Sequence, residues 1–92
     1  MNSEFPFHMG QTPVTDTAAR ITNFKADNIE GIRIKTVSGV EIWIGDDTVT
    51  DATGFNLPWN SEVFIPTPYP HNIYVIGPDT FETVSWIITT RP

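Results

Sequence analysis

Apolar and polar residues alternate along much of this chain with a period of two. Ile32-Arg33-Ile34-Lys35 sets apolar side chains on one face and charged ones on the other, as a strand with one buried and one wet face requires. Val40-Glu41-Ile42-Trp43-Ile44 repeats the pattern, with Val40, Ile42 and Ile44 pointing inward and Glu41 and Trp43 outward. Ser38-Gly39 between them has the chemistry of a two-residue turn that needs positive φ, so the two segments are expected to pair as a hairpin. Other candidate strands are Thr12–Thr15, Ala18–Phe24, Ser61–Thr67 with Val63 and Ile65 on one face, Asn72–Ile76, and Glu82–Thr90. In the last, Val84, Trp86 and Ile88 share a face, and Trp86 is expected in the core. Gly77-Pro78-Asp79-Thr80 joins the closing pair. Gly45–Trp59 reads as a loop with one short strand around Val49, punctuated by Gly54 and Pro58. No apolar stripe of helical length has a 3.6-residue period. About seven to eight short strands with regular turn signals predict an all-β fold, a small antiparallel β-sandwich or jelly roll.

Two proline features refine this picture. Pro66, Pro68 and Pro70 fall on alternate residues, so their missing N–H groups line one side of an extended chain. That side cannot accept a further strand, which predicts an edge segment or a polyproline-like connection. Residues 1–11 read as an extended N-terminal arm ahead of a β-sandwich domain over residues 12–92. In the arm, Phe5, Phe7 and Met9 alternate with Pro6 and His8. Phe5, Phe7, His8 and Met9 are therefore candidate partner-binding residues. The leading expectation is that the arm docks on a neighbouring subunit; packing on its own domain and disorder are the alternatives.

Composition supports the class. Eleven isoleucines, seven valines and thirteen threonines stand against one leucine, Leu57. These β-branched side chains suit a pleated, half-buried surface. The chain has 92 residues and no cysteine, hence no disulfide and no cysteine-based zinc site. A single domain of this size has a thin stability margin and often leans on partner subunits. The formal net charge of −6 disfavours nucleic-acid binding. No apolar run reaches membrane-spanning length, and the N-terminus lacks the pattern of a secretory signal, so neither a membrane partner nor signal-directed export is expected.

Catalytic chemistry has little to work with. The two histidines, His8 and His71, lie in the arm and in a proline-rich turn, away from any nucleophile setting. There is no glycine-rich phosphate loop and no paired-histidine metal motif. A non-enzyme without a cofactor is expected. Asp46, Asp47 and Asp51 could offer oxygen ligands to calcium, but their spacing departs from the EF-hand pattern and Asp is a common turn residue. The turn reading is preferred, and no metal is expected. Trp43, Trp59 and Tyr69 are candidate exposed aromatics for an interface or for stacking on sugar rings.

One stretch goes beyond composition. Ile32–Lys35, Val40–Gly45, and Val49-Thr50 with Gly54-Phe55-Asn56-Leu57 succeed one another as strand, turn-linked strand and a Gly-Phe-x-Leu segment. Together with Asn72–Ile76 and Thr83–Ile88, they resemble small β-sandwich structural proteins of tailed-bacteriophage virions. The resemblance covers residues 12–90 and is built from turn and strand residues. It departs from the pattern at Trp59-Asn60, at the proline run and in the arm. It implies a virion protein, assembled in the host cytoplasm, that binds the major capsid protein lattice as a decoration or cement protein. Copies of itself, in a possible trimer, are the other implied partner. A neck, tail or fibre component and a carbohydrate-binding module for host recognition are the alternatives.

Overall fold

In the computed structural model, which describes residues 7–78 and 82–91, strands follow one another along the chain. They are β1 (Phe7–Val14), β2 (Ala19–Arg20), β3 (Ile29–Lys35), β4 (Ile42–Gly45), β5 (Phe55–Leu57), β6 (Glu62–Ile65), β7 (Tyr74–Ile76) and β8 (Glu82–Thr90). A single 3-10 turn, Pro70–Asn72, precedes β7. The strands build two four-stranded antiparallel sheets, in the orders β1-β8-β3-β6 and β2-β7-β4-β5. First pairs with last, second with seventh, third with sixth and fourth with fifth. Such an order arises when one long hairpin rolls up on itself, and the fold is an eight-stranded jelly roll.

The alternating pattern explains the core. Ile32, Ile34, Val84 and Ile88 point inward from the first sheet, and Ile42, Ile44 and Val75 point inward from the second. Each is nearly or wholly buried. Burying one such side chain stabilises the fold by about 1.5–3 kcal/mol relative to leaving it exposed. Trp86 lies in the same cluster. Its indole N–H donates to the Thr12 hydroxyl at 2.9 Å, which satisfies the one polar group it buries. The Thr12 hydroxyl in turn donates to the Ile21 carbonyl.

Two local expectations are overturned. The Ser38-Gly39 turn forms, with the Val40 N–H donating to the Val37 carbonyl at 3.1 Å and Gly39 at φ 86°. Its flanking strands do not pair as a hairpin, however: β3 lies in the first sheet and β4 in the second. Residues 36–41 supply the length needed to step across the roughly 10 Å between packed sheets. Buried Thr36 anchors the step, its hydroxyl donating to the Pro58 carbonyl at 2.6 Å. Likewise, no strand forms at Val49. That side chain is buried against Gly45 and Gly54, and residues 46–53 wrap around it as turns.

The boundary expected at residue 11 falls inside β1. Residues 7–11 are the larger part of a strand that pairs with β8 from Phe7↔Thr89 to Val14↔Glu82. The physical reason is a fit to Trp86, whose ring lies under Gly10 so closely that a Cβ there would come within 2.5 Å of it. The second strand is shorter than expected, at Ala19–Arg20. Of the closing turn, residues 79–81 lie outside the described residues, as does Phe5 of the arm.

Hydrogen-bond phase follows from one contact. The Thr36 N–H donates to the Ser61 carbonyl at 2.9 Å, so even-numbered positions of β3 bond toward β6. Odd positions of β3 then bond toward β8, and the registers carry the alternation outward. Even positions of β1 bond to β8, while odd ones direct their peptide groups away from the sheet. Pro13, which has no N–H, falls in this outward phase. Pro66 falls in the equivalent outward phase beyond β6, so the expected edge role of the proline run is met at its first member. Pro70, by contrast, is buried and opens the 3-10 turn.

Candidate partner-binding face

The outer face of the first sheet is built by the residues that alternate with the core. Strand registers align Met9, Ile87, Arg33 and Phe64 in one row across all four strands. Gln11, Ser85, Lys35 and Glu62 form the next row. All of these except Phe64 border a shallow groove of about 340 Å³. Met9 is 67% exposed, and Phe7 and Phe64 are also exposed. The face is thus apolar at Met9 and Ile87 on one side and at Phe64 on the other, with Arg33 between them and Lys35 and Glu62 in the next row.

Local contacts hold this face in shape. The Arg33 guanidinium donates to Glu62 at 3.1 Å and lies 5.4 Å from the centre of the Phe64 ring. Both ion-pair partners are about half exposed, so the pair contributes on the order of 0–1 kcal/mol and chiefly orients the side chains. Phe64 lies over Gly31. A Cβ at Gly31 would stand 2.5 Å from the Ile65 carbonyl oxygen and 2.6 Å from the Phe64 ring. Gly31→Ala should therefore push β6 away from β3, costing about 1–3 kcal/mol by overpacking. Urea titration checks this, and a variant as stable as the parent would show that β6 yields freely.

The four arm residues divide. Phe7 and Met9 lie on the outer face. His8 is exposed too, but lies on the opposite face of the strand and stacks on Phe24 with ring centres 4.2 Å apart and planes 13° apart. Phe5 is outside the described residues. The contributions of Ile87, Arg33 and Phe64 were missed from sequence. Their signal was the outward phase of the alternating strands, but nothing local says which strands become neighbours.

The three candidate aromatics do not form one platform. Trp43 is half-buried on the outer face of the second sheet, in β4. Trp59 is 56% exposed in the link between β5 and β6. Tyr69 is 59% exposed in the link between β6 and β7 and meets His71 edge-on at 6.1 Å. Successive links of an antiparallel roll lie at alternate ends, so Trp59 and Tyr69 occupy opposite ends of the domain. His71 sits in the 3-10 turn, with its backbone carbonyl accepting from Arg20 and its Nδ1 buried without a hydrogen-bond partner.

In the acidic loop, Asp46 is a turn former. Its Oδ1 accepts from the Thr48 hydroxyl at 2.6 Å and from the Thr48 N–H at 2.9 Å. These two bonds, the hydroxyl first, hold its carboxyl below the usual aspartate range. Among the described residues, no three His, Cys, Asp or Glu side chains cluster as metal ligands would. The loop's extra stability is complete above the ordinary aspartate pKa and is lost as pH falls through the lowered folded value. In an NMR titration, the Thr48 amide should move with a midpoint below that of an aspartate in a short peptide. A midpoint at or above the peptide value would contradict this.

No family model, curated protein or solved structure matches this chain.

Proposed function

We propose that this chain is a structural protein of a tailed-phage virion, a decoration protein that sits on the coat lattice. The observation that carries the reading is the exposure of Phe7, Met9 and Phe64 on the outer face of one sheet of a jelly roll. Jelly rolls recur in viral capsid and lectin domains. Exposed apolar side chains on one sheet face suit a protein surface better than a sugar, which calls for aromatic platforms with polar groups around them. The scattered positions of Trp43, Trp59 and Tyr69 weigh against glycan recognition. Decoration also asks little of each contact, because many copies on a lattice turn a weak single contact into firm collective binding. The chain's net charge of −6 would help keep particles apart.

The test is cryo-electron microscopy of particles purified from the host that makes this chain. The expected result is a copy at every equivalent position of the coat lattice, with Met9 and Phe64 toward the coat. A ring of few copies at the neck or tail would replace decoration by the connector reading. Absence from the particle would overturn the proposal. Truncation must stop short of β1: removing residues 1–11 would take away more than half of that strand and uncover Trp86, so lost binding would report unfolding.

A further inference from the structure

We infer that the outer edge of β1 is a self-association site, at which a second copy of this chain adds its own β1 antiparallel about a two-fold axis at Gly10. Four strands form the sheet edges among the described residues, and they are not alike. At the edge of the second sheet, β2 is two residues long and carries Arg20, and β5 at the other edge has three residues. In the first sheet, β6 has four residues, begins at Glu62 and runs into Pro66 in the outward phase. Short strands, charges and outward prolines are the usual devices that stop a sheet from growing at its edge.

The remaining edge lacks most of them. β1 has eight residues and no charged side chain, in a chain that is 17% charged. Pro13 blocks only its far end. Met9 and Gln11 lie in the outward phase, so each directs a donor and an acceptor away from the sheet. A strand with two such residues spaced two apart is complementary to its own reverse. With Gly10 on the axis, Met9 of each copy faces Gln11 of the other. Four backbone hydrogen bonds form, and both prolines stay at the margins.

The occupant follows from this symmetry and from charge. Two molecules of net charge −6 repel, and they approach most easily along a strand with no carboxylate. The charged side chains in line with Met9 and Gln11 on the outer face are Arg33 and Lys35, two strands inward, and Glu62, three strands inward, where it pairs with Arg33. In this register the row that ends at Met9 continues into the second copy's row that begins at Gln11, so the two Met9 side chains lie diagonally across the axis on one shared outer face. The inference concerns the isolated chain and does not depend on where it sits in a particle.

Sedimentation velocity from micromolar to millimolar concentration tests it, with hydrogen exchange read at Met9 and Gln11. The expected species has twice the 10.3 kDa of one chain, and both amides become protected as it forms. Gln11→Pro removes an outward N–H while leaving the β8 ladder intact, as Pro13 already does. Met9→Lys places like charges across the axis. Both should weaken association at least tenfold, with unchanged circular dichroism and tryptophan fluorescence. A monomer at all concentrations would overturn the inference. So would an oligomer indifferent to both substitutions, or a monomer whose β1 edge is protected only when coat protein is added.

Discussion

Trp86→Ala should destabilise the domain by about 3–5 kcal/mol, the range for removing a large aromatic from a packed core. The loss has three parts. The indole is nearly all buried within the cluster formed by both sheets. Its N–H bond to Thr12 disappears, leaving the Thr12 hydroxyl without that donor. The space under Gly10 also opens, and the tilted ring contact with His8, 5.8 Å between centres, is lost. Because these contacts lie beneath β1, damage should concentrate there. Hydrogen exchange at even-numbered β1 amides should accelerate more than exchange in β3 or β4. Denaturant titration gives the size of the effect. A loss below about 1 kcal/mol would mean that the cavity collapses and that β1 does not depend on this ring.

Thr36→Val should cost about 2–4 kcal/mol, a large figure for swapping a hydroxyl for a methyl. Thr36 is wholly buried at the step between the sheets. Its hydroxyl donates to the Pro58 carbonyl at 2.6 Å and accepts from the Ser61 N–H at 3.1 Å. Valine keeps the shape but leaves both backbone groups unpaired in a part-buried setting, and an unpaired group costs about 1–3 kcal/mol. Thr36→Ser retains the hydroxyl and loses one methyl, so its cost should be nearer 1 kcal/mol. Thermal and urea melts of the pair separate the bond from the packing. A loss in Thr36→Val no larger than that in Thr36→Ser would show that the hydroxyl's two bonds contribute little.

Legibility from sequence followed the range of the interactions. The all-β class and the inward rows were readable because alternation is written into adjacent residues, as in Ile32 to Lys35 and Val84 to Ile88. The Gly39 turn was readable for the same reason, since a positive φ is a local demand. Pairing was not. Whether β3 lies beside β4 or beside β6 and β8 is decided by the burial of Thr36, its bonds to a segment twenty residues later, and the shared inward phase of distant strands. The outer face suffered most from this. Met9 stood out as an apolar residue near the terminus, but Phe64 joins it only through two intervening strands. Exposed aromatics were visible as residue types. Their separation to opposite ends of the domain depends on the whole winding.

The nesting of first strand with last has a consequence for synthesis. Pairing is most local at the middle, where residues 46–54 link β4 to β5, and each pair farther out spans a longer stretch of chain. The β1–β8 pair is the least local, with bonded residues as far apart in sequence as Thr12 and Trp86. On the ribosome, β1 emerges ahead of the other seven strands and waits until β8 has been made. Folding that relies on such distant pairings belongs to the slow end of the range for small domains, milliseconds to seconds. During that wait, an uncharged apolar strand is bare in the nascent chain. Neighbouring ribosomes on one message would hold such strands close together, so the first encounter between copies could precede the completion of either fold.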